Sequence, residues 1–222
     1  MPAPGKVLLL HGIARTAASL AGLERMLQAA GFRTLNLDYP SRTHPLEDLA
    51  GHVHRAAAGF IAADDAPVHV VTHSMGGLLA RAYLTRHRPA AQGRVVLGRV
   101  VMLGPPNGGS EVADLLVRTA PYRRIFGPAG AQLTTGGGDA LRAVLGPVDY
   151  PLGIIAGCRS IYPLGSLVIQ GQGDGRVSVA STRVAGMADH LVLPVTHPLM
   201  MRSPAVLRQT LHFLRHGRFA PG

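Results

Sequence analysis

The chain has 222 residues, 47% hydrophobic and 15% charged, a balance that excludes a disordered polymer and gives enough length for one buried core but not comfortably for two. The formal charge is +10, yet the 22 basic residues are scattered, all but Lys6 are arginine, and there are only five Tyr, five Phe and no Trp, unlike the clustered cations and stacking rings of a nucleic-acid face. No apolar run approaches the roughly 18 residues that span a bilayer, and a single cysteine, Cys158, excludes an internal disulfide framework and suits a reducing compartment.

Residues Met1 to Lys6 show no basic stretch followed by an apolar segment and a cleavage site, so no secretory signal is read. The expectation is one cytoplasmic domain over 1–222, a monomer, with at most a weak attraction to anionic surfaces from its arginines. Val7–Leu10 reads as the first strand. Leu20, Leu23, Leu27 and Ala30 then recur on one helical face, and Gly31 stands where a C-terminal cap belongs. Thr34–Leu37 is a second strand, followed by a helix carrying Leu46, Leu49, Val53, Ala57 and Phe60. His69–Val71 and Val100–Leu103 are the third and fourth strands, with a helical pattern between them. The glycine-rich stretch from Arg118 to Tyr150, including Gly136–Gly138, reads as a loose excursion. Gly153–Ala156 is a fifth strand, Cys158 to His190 a second excursion, and Leu191–Val195 a sixth strand. The final helix carries Leu207, Leu211 and Leu214, with Ser203 as N-cap, Pro204 at its first position and Gly217 at its end. Apolar strands with little alternation, spaced by helices at about thirty residues, predict an α/β fold. Its mostly parallel sheet has about six strands and helices on both faces.

The sharpest chemical signal is Thr72-His73-Ser74-Met75-Gly76, which joins an apolar strand to a helix. A serine hydroxyl is a poor nucleophile unless it is held exposed beside a base, and a strained strand-to-helix turn does this. The turn also puts Ser74 at a helix N-terminus, where N–H groups favour developing negative charge. The common form is G-x-S-x-G; here the first position is Thr72, bulkier than glycine. His11-Gly12-Ile13, closing the first strand, offers a small residue at which the chain can turn a backbone N–H toward the nucleophile. An oxyanion needs two such donors, and the N–H groups of Ile13 and Met75 are the candidates.

With these residues the chain resembles the α/β-hydrolase family, and within it the small bacterial lipases and esterases with His-Gly-Ile after the first strand and a His-Ser-Met-Gly elbow. Val100–Ser110, with its Gly104-Pro105-Pro106 turn, is similar to the family's next strand and helix start. The resemblance extends from about residue 6 to 215 and implies an α/β-hydrolase fold without a large cap domain. It also implies the order serine, acid, histidine, which directs the search to the C-terminal third. There Gly173-Asp174-Gly175-Arg176-Val177 matches the family's Asp-Gly-x-Val stretch, making Asp174 the favoured acid over Asp149 and Asp189. His197, after the sixth strand, stands at the carboxyl end where open α/β sheets gather their active groups, and is favoured over His190, which precedes that strand. His73 is adjacent to Ser74 and is expected to pack beneath the turn rather than act as base.

The resemblance implies acyl transfer through a Ser74–Asp174–His197 triad, with ester hydrolysis of the lipase or esterase kind as the leading reading. Thioester hydrolysis, acyl transfer to another acceptor and a non-catalytic binding role on the same scaffold remain open alternatives. No Cys/His pair has zinc spacing, no acidic cluster suits Ca²⁺ or Mg²⁺, and no phosphate loop follows a strand, so no metal and no cofactor is expected. The substrate is expected to be a small ester or lipid with a short-to-medium acyl chain. Its walls are expected from Ile13–Ala17, the 118–150 stretch and Leu199–Met201.

Overall fold

A computed structural model describes residues 5–88, 95–169 and 171–221. Six strands, β1 (Lys6–Leu10), β2 (Arg33–Leu37), β3 (Val68–His73), β4 (Leu97–Leu103), β5 (Leu152–Gly157) and β6 (Asp189–Leu193), form one sheet in the order β2-β1-β3-β4-β5-β6. Every pairing is parallel. Successive side chains of a strand point to opposite faces, and the core divides accordingly. Leu8, Leu10, Val70, Val100, Met102 and Ile154 face one layer, while Val7, Leu9, Val71, Val101, Leu103 and Ile155 face the other. This two-sided burial is why the central strands read as unbroken apolar runs; the edge strands β2 and β6 are half-buried.

Helices α1 (Ala21–Ala29) and α9 (Pro204–His216) pack with the second layer, and α2 (Leu46–Ala62) and α3 (Met75–His87) with the first. Leu20, Leu23 and Leu27 are buried as the spacing predicts, and so are Leu46, Leu49, Val53 and Ala57, with Phe60 half-buried. α3 is buried continuously from Met75 to Leu84. In α9 the buried face is Val206, Thr210, Phe213 and Leu214, rotated from the expected Leu207–Leu211 stripe. The ring of Phe213 packs over Gly153, 2.5 Å from where a Cβ there would stand, a close fit that the rotated face provides. Strand β6 begins and ends two residues earlier than the apolar run suggests, so His190 lies inside it.

The stretch from 118 to 150 is not loose. It carries α5 (Ala120–Ala131) and α6 (Gly138–Leu145), preceded by α4 (Glu111–Leu116). Thr119 caps α5 by accepting the Tyr122 N–H, and Ser110 caps α4 by accepting the Ala113 N–H. α5 kinks at Gly127, φ 56°, before Pro128, where a Cβ would strike the Arg42 carbonyl. Gly138 opens α6 rather than lying in a free loop. The second excursion holds α7 (Pro163–Val168) and the single turn α8 (Val179–Thr182). Lys6 is a core group: it is fully buried, and its Nζ donates to the carbonyls of Ile61 and Asp64 at the end of α2.

His69 on β3 shows what such burial costs. Its Nδ1 accepts the Arg99 N–H at 2.9 Å, so the ring is neutral in the fold. Burial, with the Arg99 cation nearby, pushes its pKa from 6.5 down to about 4. The unfolded chain therefore binds a proton that the folded chain refuses between those values. Stability from this residue is complete above pH 6.5 and is lost as pH falls toward 4, amounting to about 3 kcal/mol at about 1.4 kcal/mol per pH unit. Urea unfolding at pH 7.5 and pH 4.5 is expected to show a steeper acid loss for the wild type than for His69→Asn. Equal losses would contradict the assignment.

Candidate active site

β3 ends at His73 and α3 starts at Met75, leaving Ser74 alone at the turn with φ 56° and ψ −129°. Such a conformation costs a non-glycine residue of order 1 kcal/mol or more and persists only when its surroundings impose it. Gly76 is part of that imposition: a Cβ there would strike the Leu10 carbonyl and sit 2.6 Å from the His11 carbonyl oxygen. Gly77 faces Pro105, with 2.8 Å to its Cβ. Thr72 fits in place of the usual glycine because its buried hydroxyl faces Gly77, although that hydroxyl finds no hydrogen-bond partner. Gly76→Ala is expected to destabilise the fold by about 3 kcal/mol, the upper end for overpacking, because the obstacle is backbone. Chemical denaturation reads this directly, and an unchanged midpoint would contradict the close approach of α3 to β1.

The groups expected from the C-terminal third meet Ser74 here. The Ser74 hydroxyl lies 2.9 Å from His197 Nε2, and His197 Nδ1 lies 2.6 Å from Asp174 Oδ2. The other carboxylate oxygen of Asp174 accepts the N–H groups of Arg176 at 3.0 Å and Val177 at 2.9 Å. Asp174 is fully buried, His197 is 5% exposed and Ser74 9%. The acid reaches the site because the chain turns back on itself. Gly173 bridges to Ser178, and Gly157, at the end of β5, has no side chain to meet Asp174, whose Cβ would lie 2.8 Å from one. The rivals lie elsewhere. Asp149 is exposed and paired with Arg88, which holds its carboxyl below the usual range. Asp189 opens β6 and accepts the Phe219 N–H. His190 is in register with Ile154 near the amino end of the sheet and bonds to Thr182 Oγ1.

His73 does sit beneath the turn. Its Nε2–H donates to the His197 carbonyl at 3.0 Å, and the two rings are 4.8 Å apart. Burial, with the neighbouring His197, pushes its pKa well below the ordinary value and keeps it neutral. The backbone of His197 is held on its other side as well, its N–H donating to the Asp174 carbonyl at 3.1 Å. After β1 the chain turns through Ala14, φ 55°, whose N–H donates to Ser41 Oγ at 3.1 Å. Among the described residues neither the Ile13 nor the Met75 amide donates to a protein acceptor.

Ser74 and His197 open into a cavity of about 170 Å³ whose walls include Ile13, Arg15, Phe126 and Arg176. Ile13 and Arg15 fall within the expected wall, and Phe126 within the 118–150 stretch. Met200 and Met201 do not line it: both are buried in the second core layer. Arg176 was not legible as a wall, since nothing in sequence shows that the loop carrying Asp174 also folds over Ser74. A larger cleft of about 870 Å³, lined by Arg81, Asn107 and Leu141 among others, does not include Ser74 or His197. Its Arg81 is 7% exposed and donates to Asn107 Oδ1 and the Gly146 carbonyl, tying the loops after β4 and α6 to α3. Among the described residues no three His, Cys, Asp or Glu side chains are placed to hold a metal ion, and no helix is long and apolar enough to cross a membrane.

A strained serine between strand and helix, joined by hydrogen bonds to a histidine and a buried carboxylate at the carboxyl ends of a parallel sheet, defines a class of hydrolase fold. The chain belongs to the alpha/beta hydrolase family, whose pattern matches residues 7–210. Comparison with curated protein sequences finds no match. Among solved structures it is similar to the mature lipase BlEst2 of Bacillus licheniformis, with a TM-score of 0.79 and 18% identity over 98% of this chain and 93% of that one. It is also similar to the phospholipase PlaB of Legionella pneumophila, with a TM-score of 0.72 and 19% identity over 96% of this chain and 59% of that one. The RedJ thioesterase of the prodiginine pathway in Streptomyces coelicolor gives 0.59 and 17% identity over 96% and 86%. At these identities the likeness is one of fold.

Proposed function

We propose that the protein is a serine hydrolase of carboxylic esters. The observation that carries this reading is the unbroken hydrogen-bonded line from Ser74 through His197 to Asp174, at 2.9 and 2.6 Å, at the wall of a cavity. In that line the Ser74 hydroxyl donates to Nε2, so His197 can take the proton as Oγ attacks an ester carbonyl. The imidazolium so formed donates through Nδ1 to Asp174, which stays ionised and fixes the tautomer. The oxyanion falls between the amides of Ile13 and Met75, donors that need no reorganisation when charge develops. Collapse returns the proton from His197 to the leaving alkoxide and leaves Ser74 acylated. Water, deprotonated by His197, then releases the acid and restores the serine.

Pocket size supports short acyl chains. Typical ligand pockets run to about 300 Å³ or more, and the cavity at Ser74, at about 170 Å³, falls below that range. A p-nitrophenyl ester series from C2 to C16, run with wild type and Ser74→Ala side by side, tests the reading. Turnover by the wild type is expected to be greatest between C2 and C6, with no jump above the solubility limit. A rise toward C16 would overturn the chain-length reading. Silence across the series, with turnover of an acyl thioester instead, would move the assignment to thioester hydrolysis by the same residues.

A further inference from the structure

The residues lining the Ser74 cavity include two arginines and no aspartate or glutamate. Arg15 follows the turn after β1 and Arg176 follows the acid loop; both side chains are exposed, and both line the cavity with Ser74 and His197. Among the described ion pairs neither guanidinium has a carboxylate within 4 Å. The one acid of the site, Asp174, is buried and committed to His197 and to two amides. Arg176 is also restrained: its guanidinium carbon stands 5.0 Å from the centre of the Tyr162 ring. That is a cation–π distance, and the contact restricts the side chain without neutralising it. Both arginines are close enough to His73, which also lines the cavity, to act on its charge.

Two cations without a carboxylate partner among the described residues, at the cavity of one reactive hydroxyl, raise the local concentration of anions and would hold an anionic ligand by paired N–H donors. From this arrangement we infer that the ester cleaved at Ser74 carries an anionic group, a carboxylate or a phosphate, which Arg15 and Arg176 read beside the scissile carbonyl. This rests on the ester-hydrolase reading and narrows its substrate class. Arg15 and Arg176 are specificity residues here.

The test uses two matched pairs of soluble substrates. Mono-p-nitrophenyl glutarate against p-nitrophenyl valerate places a carboxylate on the acyl side, and 1-hexanoylglycerol-3-phosphate against 1-hexanoylglycerol places a phosphate on the alcohol side. With each rate divided by that of spontaneous hydrolysis, kcat/KM is expected to favour the anionic member of at least one pair by about tenfold, the size of one or two partly solvated charge contacts. In Arg15→Gln/Arg176→Gln the ratio is expected to fall toward one, and in Arg15→Lys/Arg176→Lys to recover in part, because the charge returns without the paired donors. Raising salt from about 0.1 M to about 1 M, which shortens the Debye length from about 10 to about 3 Å, is expected to erode the preference. A wild type that favours the neutral member of both pairs overturns the proposal while leaving the ester reading in place. A preference that survives the glutamine substitutions also overturns it, since the arginines then do not read the anion. If the wild type hydrolyses no member of either pair, the ester reading falls and this inference falls with it.

Discussion

Replacing Ser74 by alanine is expected to lower kcat on a short-chain p-nitrophenyl ester by about 10⁶-fold, the cost of removing a nucleophile from a triad that works as a unit. The substitution removes one oxygen from a residue that is 9% exposed and leaves the backbone, φ 56°, as demanding for alanine as for serine. Unfolding free energy is therefore expected to change by less than about 1 kcal/mol, so the lost turnover reports chemistry rather than folding. His197→Ala should cost about as much, and the double variant little more than either alone, because each needs the other: without Nε2 at 2.9 Å the hydroxyl has no base. Single-turnover assays on the three variants measure this. Independent, multiplicative losses, or a Ser74→Ala rate within tenfold of wild type, would place the chemistry elsewhere.

Asp174→Asn is expected to lower kcat by about 10⁴-fold with the fold retained, as in triads where the acid is made neutral but isosteric. The asparagine oxygen can still accept the N–H groups of Arg176 and Val177, which bond to Oδ1 of the aspartate. Its NH₂ then takes the place of Oδ2, 2.6 Å from His197 Nδ1. Two donors cannot face one another, so the ring must carry its proton on Nε2 and can no longer accept the Ser74 hydroxyl. Asp174→Ala differs in kind: it strips two amides and the imidazole of their acceptor in a buried site, and each group left unsatisfied costs about 1–3 kcal/mol. Asparagine is thus expected to separate catalysis from stability and alanine to lose both. Thermal melts beside steady-state rates distinguish them, and an active Asp174→Asn would return attention to Asp149 and Asp189.

The central strands and the Ser74 turn were readable from residue type because each is a local consequence of its own composition. Val7–Leu10 and Val68–His73 are buried on both faces, so apolar runs mark them, and Gly76 marks the turn because only a missing Cβ lets α3 approach β1. Asp174 was readable mainly by resemblance and His197 by resemblance together with its place after the sixth strand; no spacing shows that residues 23 apart close to 2.6 Å. Helices α5 and α6 were hidden because Gly127-Pro128 and Gly136–Gly138 are signals of turns. α5 forms behind the Thr119 cap, and α6 packs Leu141, Val144 and Leu145 on the first core layer, a period too short to stand out beside the glycines. The rotation of α9 escaped for a similar reason: Thr210 is fully buried while Leu207 and Leu211 are only partly so. Arg15 and Arg176 are loop residues 161 positions apart, and their meeting at one cavity is purely a matter of tertiary structure.

The return of the chain at Gly157 also bears on how such a site can diversify. Asp174 is not held by continuity with β5. The Gly173–Ser178 bridge and the amides of Arg176 and Val177 hold it within its own loop, and the close approach at Gly157 seats that loop against the end of β5. The connection from Cys158 to Gln172 thus spans two anchored ends, and the entropic cost of lengthening such a loop grows only as the logarithm of its length. Tyr162, within that connection, already stacks against Arg176, which lines the cavity. The acid is thereby uncoupled from the connection that precedes it, whose Tyr162 reaches the cavity through Arg176. A descendant could rewrite the second without disturbing the first.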